Sequence, residues 1–291
     1  MRSYLRIQSP GVQLLLFLGL FLVCNEVAYM FLRGTASLQT GHIDLSSSHM
    51  INQLKKEQAI YTVIGFLMPA LLFGGIVFRY RHLHFLGFRP SYSVIFYIFA
   101  VVIMIVSFPL VSWLGEINQR IPLSRWMVDT ENEATKLMEA FLKTNSTAGL
   151  IINVLLIGLL PAIGEEACFR GVMQRIFIGM FKNAWVGIII SSMLFSAFHL
   201  EFAGFLPRMF LGLLLGALYW YSGSIWVSIV AHFFNNAAQI ILIQYNPKVA
   251  NENPAVPIYA AVASALIVWG ILLLIKRNSK STIESEYGVR T

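Results

Sequence analysis

The chain has 291 residues, of which 57% are hydrophobic and 12% charged, whereas a soluble domain carries about 25% charged residues. This composition excludes an ordinary soluble domain and predicts a polytopic membrane protein. The net charge of +7 comes from basic residues at the ends of apolar runs, where they anchor helices, so we expect no nucleic-acid partner. Cys24 and Cys168 lie in apolar surroundings and predict neither a disulfide framework nor a Cys-based metal site.

Apolar runs recur along the whole chain and predict an all-α fold, a bundle of about eight transmembrane helices in a single membrane domain, residues 1–291. We expect the spans at residues 11–32, 59–78, 94–114, from 148 through Glu166, 185–200, 205–221, 225–243 and 257–275. Residues 33–58 are expected to form a polar loop, and residues 276–291 a polar tail.

One stretch between the third and fourth spans is too polar to cross a bilayer. Over residues 129–144, charged residues alternate with apolar ones at helical spacing, and Asp129 and Thr130 offer a start signal. We predict an amphipathic helix that lies on the membrane surface or caps the bundle, with its charges on a solvated face.

The distribution of basic residues predicts the orientation. Eight spans put both ends of the chain on one side of a bacterial plasma membrane, and 12 of the 21 basic residues then share that side. These residues are Arg2, Arg6, Arg79, Arg81, Arg89, Arg170, Arg175, Lys182, Lys276, Arg277, Lys280 and Arg290. Since most lie in short segments, the positive-inside rule predicts that both termini are cytoplasmic.

Polar side chains interrupt three of the predicted spans. They are Glu165 with Glu166, then His199, then His232 with Asn236. A single histidine of this kind is usually a satisfied core residue. In lipid, however, each unpaired polar group is costly, so together these groups are expected to face the interior and meet one another.

Residue spacing supports such a meeting. If the fourth and fifth spans form a hairpin at Lys182 and Asn183, Glu165 lies 17 residues before Lys182 and His199 lies 17 after it. At a rise of about 1.5 Å per residue, both lie about 25 Å from the turn and are level. His232 and Asn236 are four residues apart and share one helix face.

These residue types are suited to attack by water on an amide. A carboxylate and an imidazole can share a water and remove its proton, while a second imidazole and an amide can donate to the resulting oxyanion. The pattern therefore predicts proteolysis within the membrane, without a cofactor. Zinc held by Glu165, His199 and His232 is the alternative, although the helical HExxH spacing is absent.

Three motifs resemble those of one protein family. Residues 165–171 are similar to its EExxxR motif with a Phe-Arg-Gly ending, residues 195–199 to its FxxxH motif and residues 232–236 to its HxxxN motif. On these residues the chain resembles the CAAX prenyl endopeptidase and bacteriocin-processing family of intramembrane proteases, also called ABI or CPBP. The resemblance covers roughly residues 148–245, which we take as the catalytic core.

The resemblance implies an eight-helix bundle with a cavity open to the cytoplasm. It implies that Glu165 and His199 activate the water and that His232 and Asn236 donate to the oxyanion. The residues expected to support them are Glu166, Arg170, Phe195 and Asn235. The expected substrate is a peptide or protein at the membrane, which could carry a lipid, although nothing in the motifs identifies a prenyl group.

Two other classes stay open at this stage. A non-enzymatic membrane or immunity protein could keep the same fold, although the full set of motifs argues against it. A proton-coupled transporter would also carry glutamate and histidine inside its helices. Loss of function in Glu165→Gln would distinguish the first class from a protease, and solute uptake into sealed vesicles would support the second.

Overall fold

The protein consists of packed helices, seen in a computed structural model that describes residues 9–33, 45–78, 81–144, 146–246, 255–281 and 283. These residues include no β-strand. The helices are α1 (Pro10–Arg33), α2 (Ser48–Phe78), α3 (His82–Leu86), α4 (Ile95–Gln119), α5 (Arg125–Leu142), α6 (Thr147–Phe181), α7 (Ala184–Ala197), α8 (Phe205–Ser222), α9 (Ile225–Tyr245) and α10 (Ile258–Arg277).

Within the described ranges, six helices are long and apolar enough to cross a bilayer by length and composition, namely α1, α2, α4, α6, α9 and α10. Helix α7 is apolar but has only 14 residues, fewer than the roughly 20 that a span needs. Helix α8 packs against α7 and α4. The predicted all-α multi-pass membrane fold is confirmed. The expected count of about eight spans is approximate, since six described helices meet the length and composition of a span.

The expected polar loop over residues 33–58 is wrong in its last part, because α2 already begins at Ser48. The Ser47 side chain accepts a hydrogen bond from a backbone amide of the first turn and caps the helix. The first half of α2 is too polar to stand out as an apolar run. Its Lys55 is nevertheless buried, with the ammonium group 2.7 Å from Asn153 Oδ1 in α6.

The amphipathic helix predicted near residues 129–144 is present, but it runs over Arg125–Leu142. Ser124 has extended backbone and takes the cap position, so the helix starts before the expected signals at Asp129 and Thr130. Most residues on its charged face are exposed, which agrees with the predicted solvated face.

Wide turns of π type occur in two of the long helices. They lie at Thr62–Leu67 in α2 and at Val154–Leu159 and Phe169–Gln174 in α6. A π turn accommodates an extra residue and is frequent at functional sites. The two turns of α6 lie on either side of the Glu165 and Glu166 pair.

The helices alternate in direction, so the bundle has two ends. The lower end contains the start of α1, the end of α10 and two tight turns, which reach left-handed backbone at Lys182 (φ 53°) and Gly223 (φ 68°). The Lys182 turn joins α6 to α7, as the expected hairpin requires. Arg89 Nε donates to the Gly223 carbonyl at 2.7 Å, and the Ser279 hydroxyl donates to the Tyr221 carbonyl at 2.8 Å, which tie this end together.

The upper end contains α5 and the connection between α7 and α8, residues 198–204. Asn118 of α4 donates to the Phe202 carbonyl and accepts from the Leu206 amide, both at 2.7 Å. Glu131 of α5 accepts from the Ala203 amide at 2.6 Å. The connection is therefore held against both α4 and α5.

Gly87 at the lower end combines a left-handed backbone with a close approach that leaves no room for a Cβ. Its φ is 91°, and an added Cβ would lie 2.6 Å from a ring carbon of Tyr219. Its carbonyl accepts the Ile225 amide at 2.9 Å, so the turn also joins the start of α9.

We expect Gly87→Ala to destabilise the fold, because the left-handed conformation alone costs about 1–2 kcal/mol for a residue with a Cβ. Thermal unfolding in detergent measures the effect. Gly75→Ala in α2 is the control, since an added Cβ there meets no atom within 4 Å. Equal melting temperatures for the two variants would contradict the prediction.

Candidate active site

The structure brings the three polar spans together around one oxygen atom. Glu165 Oε2 lies 3.7 Å from His199 Nε2 and 3.8 Å from His232 Nε2. Both distances are too long for direct hydrogen bonds but suit one bridging water. The same Oε2 atom is buried and has no hydrogen-bond partner, which leaves an acceptor available for such a water.

His199 lies just beyond the end of α7 and is held in one tautomer. Its Nδ1 is 2.8 Å from the Phe195 carbonyl oxygen. Because a carbonyl can only accept, Nδ1 carries the proton in this bond. A neutral imidazole then keeps its lone pair on Nε2, the nitrogen that faces Glu165.

Glu166 is fully buried and bonded on both oxygens. Its Oε1 lies 2.8 Å from Arg170 Nη1 and 2.9 Å from His232 Nδ1. Its Oε2 accepts the hydroxyl of Ser228. An ionised carboxylate only accepts, so His232 donates through Nδ1 and its Nε2 turns towards Glu165.

Ser228 is the site residue that the sequence interpretation missed. It lies four residues before His232 and on the same face of α9, and this spacing is the signal that could have identified it. Its hydroxyl is also 3.2 Å from the Leu215 carbonyl, so it links Glu166 to α8 as well.

Arg170 and Gln174 fix α6 against α8 below the carboxylates. Arg170 Nη2 donates to the Gly212 carbonyl at 3.2 Å, and one turn further on Gln174 Nε2 donates to the Gly216 carbonyl at 3.1 Å. An added Cβ on Gly216 would lie 2.8 Å from Gln174 Oε1. The lack of a side chain at Gly216 therefore allows the close approach between α8 and Gln174 of α6.

Phe195 packs against the polar groups from the α7 side. Its ring meets His199 edge-on at 4.9 Å and His232 at 5.6 Å between centroids. The Arg170 guanidinium carbon lies 4.4 Å from the same ring centroid. One buried aromatic ring thus orients both imidazoles and covers the guanidinium.

Asn236 lies one turn above His232 on the same face of α9. Its Nδ2 donates to the Gly158 carbonyl of α6 at 3.4 Å, and its Oδ1 accepts from Asn235 at 3.5 Å. The Gly158 bond uses one of the two amide hydrogens, so the other can serve a bound substrate. The described hydrogen bonds do not join Asn236 to Glu165 or to either imidazole.

The cluster does not fit zinc in this arrangement. Tetrahedral zinc with ligand distances of about 2.0–2.2 Å holds its donor atoms roughly 3.3–3.5 Å apart. Glu165 Oε2 is further than that from both imidazoles. Within the described part of the chain, no group of three or more His, Cys, Asp or Glu side chains could hold a metal ion.

Fold and site together define a class, a multi-pass helical membrane protein in which acid and imidazole groups meet inside the bundle. A family model described as type II CAAX prenyl endopeptidase Rce1-like matches residues 147–238. That segment, less than half of the chain, runs from the start of α6 into α9 and includes all three motifs. The family resemblance is confirmed there and supports an intramembrane protease of the CAAX type. Comparisons with curated proteins and with solved structures gave no match.

The surroundings of the two adjacent carboxylates predict different effects of the same isosteric change on the stability of the fold. Glu166→Gln would leave Arg170 as a buried cation without its ion pair, and breaking a buried pair costs about 3–5 kcal/mol. Glu165→Gln removes no ion pair with an arginine and should leave stability nearly unchanged. For activity, the sequence predicts a milder effect of Glu166→Gln than of Glu165→Gln, because the two side chains point about 100° apart around the helix.

Thermal unfolding of the two purified variants in the same detergent checks this contrast. A melting temperature for Glu166→Gln as high as that of Glu165→Gln would show that Glu166 does not hold the fold together.

Proposed function

We propose that this protein is an intramembrane endopeptidase that hydrolyses a peptide bond with a water activated by Glu165 and His199. The observation that carries the proposal is the unpartnered Glu165 Oε2, with two imidazole nitrogens 3.7 and 3.8 Å away. A single water there could contact the carboxylate and an imidazole together. The family match over residues 147–238 supports the same reaction class.

In the first step, Glu165 acts as the general base. The water oxygen attacks the carbonyl carbon of the scissile bond, and one water proton passes to the Glu165 carboxylate. The other O–H of the water donates a hydrogen bond to His199 Nε2, and this bond orients the water for attack. Its bond to the Phe195 carbonyl keeps Nδ1 protonated and Nε2 free for this task.

His232 and Asn236 stabilise the oxyanion that forms on the carbonyl oxygen. For this role His232 must carry a proton on Nε2 while Nδ1 donates to Glu166. The charges of the cluster would then balance, with Glu165 and Glu166 negative and Arg170 and His232 positive. Asn236 would contribute the amide hydrogen that its bond to the Gly158 carbonyl leaves unused.

In the last step the tetrahedral intermediate collapses. The carbon–nitrogen bond breaks, the carbonyl re-forms, and the protonated Glu165 gives its proton to the leaving amine. One water is consumed, and a carboxylic acid and an amine are released. The substrate is a peptide or protein segment at the membrane, with or without an attached lipid.

We expect Glu165→Gln and His199→Ala to lower the rate by about 10²–10⁴ each, because the first change removes the general base and the second removes the acceptor that orients the water for proton removal. Both variants should remain folded. The assay follows a substrate found by comparing the proteomes of cells that carry active protein or Glu165→Gln. Glu133→Gln, on the exposed face of α5, is the matched control and should keep full activity. Near-normal turnover by either site variant would rule out the assigned roles.

Asn236→Ala should lower the maximal rate by about 10²–10³ and leave substrate binding nearly intact, because the oxyanion exists only in the transition state. His232→Ala should give a defect of the same kind. Steady-state kinetics with the same substrate measures kcat and KM separately. A raised KM with an unchanged kcat would assign Asn236 to substrate binding instead.

Metal removal distinguishes the proposed metal-free mechanism from the zinc alternative. We expect protein treated with a strong chelator to stay active, since the proposed reaction uses no metal. If the purified protein held one zinc per chain, lost activity when stripped and regained it with added zinc, His232 would be a ligand and the glutamate mechanism would be wrong. The assignment as a protease would survive that result.

A further inference from the structure

Arg208 is a charged residue at the upper end of the bundle that the proposed reaction does not use. It is the fourth residue of α8, and its side chain is 18% exposed. The first turn of α8 packs on the last turn of α7, where the Ser196 hydroxyl donates to the Phe205 carbonyl at 2.7 Å. Arg208 also interacts electrostatically with Glu165 and His199. A second arginine therefore lies near the reacting groups.

The hydrogen bonds between α6 and α8 give the height of Arg208 along the bundle. Arg170 and Gln174 of α6 each donate to a carbonyl of α8 that lies 42 residues further along the chain. Since α6 and α8 run in the same direction, the same offset places Arg208 level with Glu166. Glu166 already has its cation in Arg170. The charge of Arg208 therefore remains available to another anion at the height of the site.

Within the described part of the chain, the Arg208 guanidinium donates hydrogen bonds to Glu201 alone. Its Nη1 donates to the Glu201 carbonyl at 3.2 Å, and its Nη2 donates to the carboxylate. A guanidinium carries five N–H groups, so three of them keep no acceptor among the described residues. The Glu201 side chain is 46% exposed, against 14% for Glu165 and 28% for His199. The guanidinium thus lies on the exposed, upper side of the site with unused donors.

A purely structural role does not account for this arginine. A cation near the start of a helix is unfavourable, because the helix dipole is positive there. An ion pair with so exposed a carboxylate contributes little to stability, and Asn118 and Glu131 already hold the connection that contains Glu201. Gly204 nevertheless leaves room for the guanidinium, since an added Cβ there would lie 3.0 Å from Arg208 Nη2.

The geometry points to Arg208 as the residue that binds a carboxylate of the substrate next to the scissile bond. A planar guanidinium holds a carboxylate through two parallel hydrogen bonds, which fix its position and its orientation. In the free protein the Glu201 carboxylate occupies part of this place, and the substrate carboxylate would replace it. Two sources supply such a group, the free C-terminus of a peptide and an acidic side chain near the cleaved bond. The inference rests on the proposed peptidase function in calling the ligand a substrate.

Three capped dipeptides test the inference without any cleavage. N-acetyl-leucyl-leucine has a C-terminal carboxylate, N-acetyl-glutamyl-leucinamide has a side-chain carboxylate, and N-acetyl-leucyl-leucinamide has neither. Equilibrium dialysis against purified Glu165→Gln protein in detergent measures their binding. At least one acid should bind about 10–100-fold more tightly than the neutral amide, as expected for a hydrogen bond between charged groups. The tighter acid identifies the source of the carboxylate, and equal binding of all three would overturn the inference.

Variants made in the same Glu165→Gln protein separate Arg208 from a general effect of charge. Arg208→Gln should abolish the preference for the acid, and Arg208→Lys should keep part of it, because lysine keeps the charge but loses the planar fork. Glu201→Gln should strengthen binding of the acid several-fold, because it removes the competing carboxylate. Arg125→Gln, at an exposed arginine of α5, is the matched control and should change nothing.

Two results with these variants would overturn the inference. One is a preference for the acid that survives Arg208→Gln. The other is binding of the acid that Glu201→Gln fails to strengthen. The second result does not depend on the folding of Arg208→Gln, since Glu201 is an exposed side chain.

Kinetics gives a further test with a substrate from the proteome comparison. Bonds whose cleavage depends on Glu165 should lie within a few residues of a carboxylate. Arg208→Gln should raise KM about 10–100-fold with kcat nearly unchanged, because the contact is already made in the bound ground state. An unchanged KM would overturn the inference. If no cleavage depended on Glu165, the proposed peptidase function would fail, whereas the dipeptides would still establish Arg208 as a carboxylate-binding residue.

Discussion

The buried pair of Glu166 and Arg170 is the interaction on which the rest of the site depends. Neither charge would be tolerated alone in this interior, because an unpaired buried charge is strongly destabilising. Together they join four helices at one point. Glu166 accepts hydrogen bonds from His232 and Ser228 of α9. Arg170 donates to the Gly212 carbonyl of α8 and packs against the ring of Phe195 in α7.

This ion pair gives two neighbouring carboxylates different environments. Successive residues of a helix point about 100° apart, so Glu166 faces the packed interior while Glu165 faces the point where exposure begins. One carboxylate has every partner it needs, and the other keeps an unpartnered oxygen. A difference of surroundings of this kind lets one carboxylate hold the structure and its neighbour carry out chemistry.

Hydrolysis inside a membrane also requires a route for water and a barrier against leakage. The hydrogen bonds of Arg170 and Gln174 to the carbonyls of Gly212 and Gly216 hold α6 against α8 in the lower half of the bundle. The upper half is looser, and Asn118 and Glu131 hold the connection that follows His199. In the proposed reaction, water would enter on this looser side, where the same packing fixes the His199 imidazole.

The sequence alone determined the all-helical membrane class, the hairpin at Lys182 and the three motifs, because apolar periodicity, turn spacing and the cost of polar groups in lipid are local properties. Only the tertiary structure decided that Ser228 binds Glu166, that glycine carbonyls accept from Arg170, and that the polar first half of α2 is a helix packed on α6. It also decided which end of the bundle the site faces. Those features depend on which helix faces touch and at what height, and no single segment encodes that.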